Sequence, residues 1–165
     1  MRLKGKKIEG ANREIIAIPR GDDKEDIIFV AQAVLDMGTF EKMCPPPKPP
    51  MRKIDGIDIP NVKDKKFLKA IDRHSEKRLA YLVIESLSAT EDLEWETVKI
   101  DDPSTWMNFR SELIAAGFAD IEVNRIIAGV ISVNALSESK VQEARNRFLR
   151  LRQTRQEDLS CLKVD

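Results

Sequence analysis

Cys44-Pro45-Pro46-Pro47-Lys48-Pro49-Pro50 decides how this chain is divided. Proline lacks the backbone donor and fixes φ, so neither a helix nor the interior of a sheet runs through such a block. The short apolar runs before it and the long amphipathic patterns after it therefore read as separate pieces of structure. Residues 1–43 read as a β-rich region, 44–62 as a proline-rich linker with a small hairpin, 63–155 as a helical domain and 156–165 as a tail. An extended polyproline segment also suits an aromatic groove on a partner, but a stiff spacer is the simpler reading.

Upstream of the block, Glu14-Ile15-Ile16-Ala17-Ile18-Pro19 is a β-branched run that stops at proline, which predicts a strand. Arg20-Gly21-Asp22-Asp23 is turn chemistry, and the apolar run from Asp26 to Val34 completes a hairpin. Ile27, Val30, Ala31 and Val34 also stand at i, i+3, i+4 and i+7, so an amphipathic helix is the alternative there. Phe40 to Met43 fits one short turn of helix. Downstream, Ile54-Asp55-Gly56-Ile57-Asp58-Ile59-Pro60 predicts a small hairpin turning at Asp-Gly.

Beyond that hairpin the period changes to that of a helix. From Asp64 to Leu87, the residues Phe67, Leu68, Ile71, Leu79, Leu82, Val83 and Leu87 share one face, which predicts a long helix buried along that face. Trp95 to Ile100 reads as a short edge strand. Asp102-Pro103 supplies a cap and a first-turn proline for a second helix carrying Trp106, Phe109 and Leu113, which Gly117 ends in a left-handed conformation. Val123, Ile126, Ile127, Val130 and Ile131 mark a third helix ending near Asn134. Ser137 caps a fourth, with Val141, Ala144, Phe148 and Leu151 inward. The fold class expected is α+β: an N-terminal β-hairpin region followed by a four-helix, mostly antiparallel bundle joined by short linkers.

Composition narrows the function. A chain of 165 residues is enough for one domain with a real core, since at this size roughly 70% of the unfolded surface is buried. Lys+Arg and Asp+Glu both number 28, so the molecule as a whole has no field steering it to nucleic acid or anionic lipid. The charge is uneven, however: residues 85–102 are strongly acidic, and residues 145–155 carry five arginines. Cys44 and Cys161 match no metal spacing and read as reduced thiols of an intracellular protein. No apolar run approaches the roughly 18 residues that span a bilayer, and no signal-peptide core is visible, so a location inside a cell is expected.

No constellation for chemistry stands out, so no catalytic, cofactor-binding or metal residue is assigned. His74 is alone in mid-helix and reads as a surface or capping residue. Glu91, Asp92, Glu94 and Glu96 alternate around Leu93 and Trp95 and read as a solvated loop rather than an acid–base pair. Ser137-Glu138-Ser139-Lys140 matches a short nucleophile pattern, but helix capping explains Ser137 more simply. The candidates left are for partner binding: Trp95, Trp106, Phe109 and Phe118 for an apolar groove, although each also suits the core, and Arg145, Arg150 and Arg152 for an anionic surface.

Phe40-Glu41-Lys42-Met43-Cys44-Pro45, Leu93-Glu94-Trp95-Glu96-Thr97-Val98, Asp102-Pro103-Ser104-Thr105-Trp106, Gly117-Phe118 and Asn134-Ala135-Leu136 ahead of Glu143-Ala144-Arg145 stand in an order that resembles the tail assembly chaperones of long-tailed bacteriophages. The likeness runs over residues 25–150. One departure is Ala119, where a Ser or Thr would cap the third helix; Asp120 is the expected substitute. The resemblance implies a non-enzymatic protein of the host cytoplasm that coats the helical tape-measure protein, recruits tail tube subunits and leaves before the virion matures. It also admits self-association. The alternatives are a resident neck or tail protein of the virion, and a nucleic-acid-binding regulator using the arginine-rich end.

Overall fold

The computed structural model describes all residues except 1, 4, 8, 9, 22, 23, 136–140 and 151–165. Over those residues the chain is mixed α and β, and it separates into two units, Met1–Asn134 and Ala135–Asp165. In the first unit, β1 (Arg2–Leu3) and β2 (Lys6–Lys7) form a minimal antiparallel pair. In the second, residues 141–150 are helical and exposed.

The organising sheet is β3 (Arg13–Ile18) against β4 (Ile27–Gln32), antiparallel, with Ile16 opposite Phe29 and Ile18 opposite Ile27. Alternation settles the ambiguity of the second run: Phe29 and Ala31, two apart, are both buried while Ile28 is exposed, which is the period of a strand. Pro19 ends β3, and Gly21 turns the chain at φ +89°. After β4 comes α1 (Gly38–Met43), whose first amide donates to Asp36 Oδ1 and whose Phe40 is buried. The proline block then runs without regular structure into β5 (Met51–Ile54) and β6 (Ile57–Pro60). Their turn places Asp55 at φ +51° and Gly56 at φ +81°, the pair of left-handed residues that a two-residue hairpin loop requires.

Helix α2 (Lys65–Leu87) begins where expected, with Asp64 Oδ1 accepting from the amides of Lys66 and Phe67 at 2.9 Å each. Its burial departs from the expectation. Its fully buried residues begin at Ala80, whereas Leu68 and Ile71 are exposed, so the first turns of the helix project from the core.

The expected strand at Trp95–Ile100 does not form. A strand there would need a free edge to pair with, and the outer edge of β4 is occupied: Val30 N–H donates to Thr90 Oγ1 at 2.9 Å, and the same hydroxyl donates to Val30 O at 3.1 Å. The segment is held instead by Glu112, whose carboxylate accepts from the amides of Glu96 and Thr97 and from Thr97 Oγ1. The helix expected from Asp102 starts late as well. Asp102 Oδ1 takes Ser104 N and Oγ into a local turn, a 3-10 turn follows at Trp106–Asn108, and α3 spans Phe109–Ala115.

Gly117, at φ +93°, ends α3 as the sequence implies, with Gly117 N bonding Ile114 O and Phe118 N bonding Leu113 O, the two bonds of a Schellman motif. Helix α4 (Asp120–Asn134) follows. Its cap corrects the expectation: Asp120 lies inside the helix, and Ala119 holds the cap position with its amide donating to Glu122 Oε2 at 2.7 Å, the return half of a capping box.

One core takes residues from both sides of the prolines. Ile16, Ile18, Phe29 and Ala31 from the sheet, Phe40 from α1, the C-terminal half of α2, Trp106, α3 and the Val123, Ile126, Val130 and Val133 stripe of α4 form one apolar cluster. Burial drives this merger: each hydrophobic side chain taken fully out of water contributes about 1.5–3 kcal/mol, and neither half alone has two complete layers. Phe40, Tyr81 and Trp106, from three elements, meet with ring centroids 5.0–5.8 Å apart. The four-helix bundle is not confirmed. Helices α2 and α4 pack against the sheet as well as against each other.

Candidate functional site

The inner face of the β3–β4 hairpin is covered by α4 and α2, and that cover defines the outer face. Because alternate residues point away from the core, Ile15 and Ala17 on β3 stand outward, paired with Val30 and Ile28 on β4. Ile15 is 72% exposed and Ile28 47% exposed. An outward face of this kind is usually polar; here the polar pair, Arg13 Nε donating to Gln32 Oε1 at 2.8 Å, stands only at one end. At the outer edge of β4, Thr90 takes both backbone groups of Val30, while the edge of β3 borders a cleft of about 330 Å³ that Ile15, Ala17, Arg125 and Ser132 help to line. The hairpin's inner face is packed and its outer face is open.

The hairpin is firmly seated. Gly129 of α4 lies so close to β3 that a Cβ there would be 2.5 Å from Ile16 Cδ1, so glycine is what lets helix and strand approach. Arg20, just past β3, forms an ion pair with Glu122 at 3.1 Å and sits 4.6 Å above the ring of Phe118, tying the end of the hairpin to the start of α4. At the other end Asn134 Oδ1 accepts from Val34 N at 2.8 Å, and its amide donates to Ser86 Oγ and Val130 O.

A second concave surface lies at the C-terminal end of α2. Ile84, Glu85, Ser88, Leu93, Trp95, Val98 and Ile100 line a cleft of about 290 Å³ whose surface mixes polar and apolar groups. Glu91, Asp92, Glu94, Glu96 and Asp101, all exposed, stand on the loop that forms it. Glu112 fixes this loop. Partial burial raises its pKa, but hydrogen bonds from Thr97 and from the amides of Glu96, Thr97 and Val98 outweigh that, and the carboxyl lies below its ordinary value.

Of the residues singled out from sequence, Trp95 lines this acidic cleft. Trp106, Phe109 and Phe118 are instead in the core; Trp106 is 0% exposed, and its indole N–H donates to the carbonyls of Lys99 and Ile100 at 3.1 Å each. Arg145 and Arg150 lie on the exposed helical stretch 141–150, and Arg152 lies outside the described residues. His74 is a capping residue: its Nε2 is 3.0 Å from the carbonyl oxygen of Cys44, the last cap of α1, and its ring packs on Phe40. Sequence reasoning missed Ile15 and Ile28. The signal was there, since a strand with isoleucine on both faces has more apolar surface than one core layer covers.

Among the described residues, no group of three or more His, Cys, Asp or Glu side chains is arranged to hold a metal, and no helix is long and apolar enough to cross a membrane. Comparison with known proteins finds no matching family, no matching curated relative and no matching solved structure.

Proposed function

We propose that this chain binds an amphipathic helix of a partner on the outer face of β3–β4, and that it serves as a tail assembly chaperone of a long-tailed bacteriophage, shielding the helical tape-measure protein in the host cytoplasm while tail tube subunits are recruited. The observation that carries the binding reading is the apolar outer face formed by Ile15, Ala17, Ile28 and Val30 on a hairpin whose inner face is already packed. A helix laid on that face completes a helix–sheet–helix sandwich, the usual way a two-faced apolar sheet is covered. The phage role rests on the ordered sequence resemblance over residues 25–150 and adds the partner's identity.

The test is co-purification of this chain with a tape-measure protein after the double substitution Ile15→Asp, Ile28→Asp. Both positions point away from the core, so the fold is retained and the captured partner falls about tenfold or more, the scale of losing central apolar anchors. Undiminished capture by a folded variant overturns the site.

A resident ring or tube component of the virion is the second reading, favoured by the acidic stretch 85–102 and the arginines of 145–155, a charge asymmetry that suits head-to-tail packing of copies. A nucleic-acid regulator using Arg145 and Arg150 predicts DNA retardation that weakens steeply with salt.

A further inference from the structure

The two ends of α2 are built against the helix's own electrostatics. A helix N-terminus carries partial positive charge and a C-terminus partial negative charge, so acids favour the first turn and bases the last. Here the first turn has Lys65 and Lys66 and no acid, and the last turn has Glu85 and no base; only the capping Asp64 goes the favourable way. The mismatch extends into the flanking segments. Residues 48–71 hold seven Lys and Arg against three Asp, a net of +4, whereas residues 85–102 hold seven acids against Lys99, a net of −6.

Apolar surface follows the same division. The basic end is an arm composed of the proline block, the β5–β6 hairpin and the first turns of α2. Along it Met51, Ile57, Ile59, Val62, Leu68 and Ile71 are all exposed, and every residue of β6 is exposed. A lone two-stranded hairpin in water is only marginally stable, so an arm of this kind calls for a surface to lie on. The acidic end carries a cleft that Glu85, Leu93, Trp95 and Ile100 help to line, and Glu91, Glu94 and Glu96 are exposed on the loop that contributes Leu93 and Trp95. The arm and the cleft stand at opposite ends of a helix roughly 34 Å long, from 23 residues at 1.5 Å each, too far apart to meet within one chain.

We propose that copies of this chain join head to tail, the basic arm of one copy lying in the acidic cleft of the next. The contact is heterologous, since different patches of the two copies meet, so repetition generates a ring or an open filament rather than a closed two-fold dimer. In the joined state each end of α2 receives the opposite charge that its own sequence withholds. The inference does not depend on the chaperone reading, because it uses other surfaces than the β3–β4 face.

Sedimentation of the full chain with two variants tests it. One variant neutralises the arm (Lys65→Gln, Lys66→Gln, Lys69→Gln, with Leu68→Ser); the other neutralises the acidic loop beside the cleft (Glu91→Gln, Glu94→Gln, Glu96→Gln). The wild type associates with rising concentration, and its association constant falls about tenfold or more between about 0.05 M and 0.5 M NaCl. Each variant alone is monomeric. An equimolar mixture forms a one-to-one dimer and nothing larger, because one good arm and one good cleft remain. A wild type that stays monomeric, association indifferent to salt, a mixture that stays monomeric, or a variant that alone assembles like wild type each overturns the proposal. The salt series needs no variant, so it decides even where a variant fails to fold.

Discussion

Glu112 holds the loop after α2 by accepting from two successive amides and a hydroxyl, and this single side chain makes the acidic cleft sensitive to acid. Its carboxyl is held below the ordinary value of 4.5, so its contribution to stability is present in full above that pH and is lost as pH falls through the lower folded-state value. The urea midpoint of the wild type therefore drops as pH falls below about 4.5, and Glu112→Gln flattens that stretch of the profile while lowering stability at pH 7 by about 1 kcal/mol, a small figure because the site is largely solvated. A Glu112→Gln profile as steep as wild type refutes the assignment. Gly129 gives a second residue-scale test. Alanine there would favour an isolated helix by about 0.5–1 kcal/mol, but its methyl meets the buried Ile16 side chain at 2.5 Å, and overpacking of this kind costs about 1–3 kcal/mol. Gly129→Ala is expected to be destabilising overall, and Ile16→Ala combined with it to cost less than the two separate losses, as a thermodynamic cycle reads directly. The contrast with Gly117 shows what sequence makes legible at this scale. A helix stop is a local event written in neighbouring residues, whereas the role of Gly129 depends on Ile16, brought beside it only by the fold.

At the scale of elements, α2 separates what periodicity can say from what it cannot. The stripe of Phe67, Leu68, Ile71 and Leu79 correctly marks a helix and Asp64 its start, because both are set by spacing along the chain. Whether the stripe is buried depends on what lies opposite, and for the first turns nothing in the core does. Amide exchange is expected to be fast through residues 65–75 and slow through 80–87, and Asp64→Ala to speed exchange in the first segment while leaving the global unfolding midpoint nearly unchanged. Uniform protection along the helix contradicts this. The hairpin signals at Asp55-Gly56 and at Pro19 to Asp26 were equally legible. The failed strand at Trp95–Ile100 was not, since its absence follows from Thr90 closing the edge of β4 and from Glu112 taking the loop's amides, both contacts distant in sequence.

Across the whole molecule, the proline block is a local break but not a boundary between cores: the sheet before it and the helices after it bury their apolar faces together. Trp106, at the centre of that shared core with its indole N–H satisfied by Lys99 and Ile100, carries the consequence. Trp106→Phe should cost about 2 kcal/mol, from lost volume together with the loss of the donor that both carbonyls share, and it should lower one cooperative transition rather than split it. What lies outside the core is then as telling as the core itself: an apolar sheet face, a basic arm and an acidic cleft, arranged on a framework rigid enough to present them. On the chaperone reading, the sheet face seats a helical partner that is released when a phage tail is complete. Quantitative mass spectrometry of purified mature virions against infected-cell lysate tests that directly: the protein should be abundant in the lysate and missing from the virions, and its retention in virions at a fixed number of copies would refute the reading.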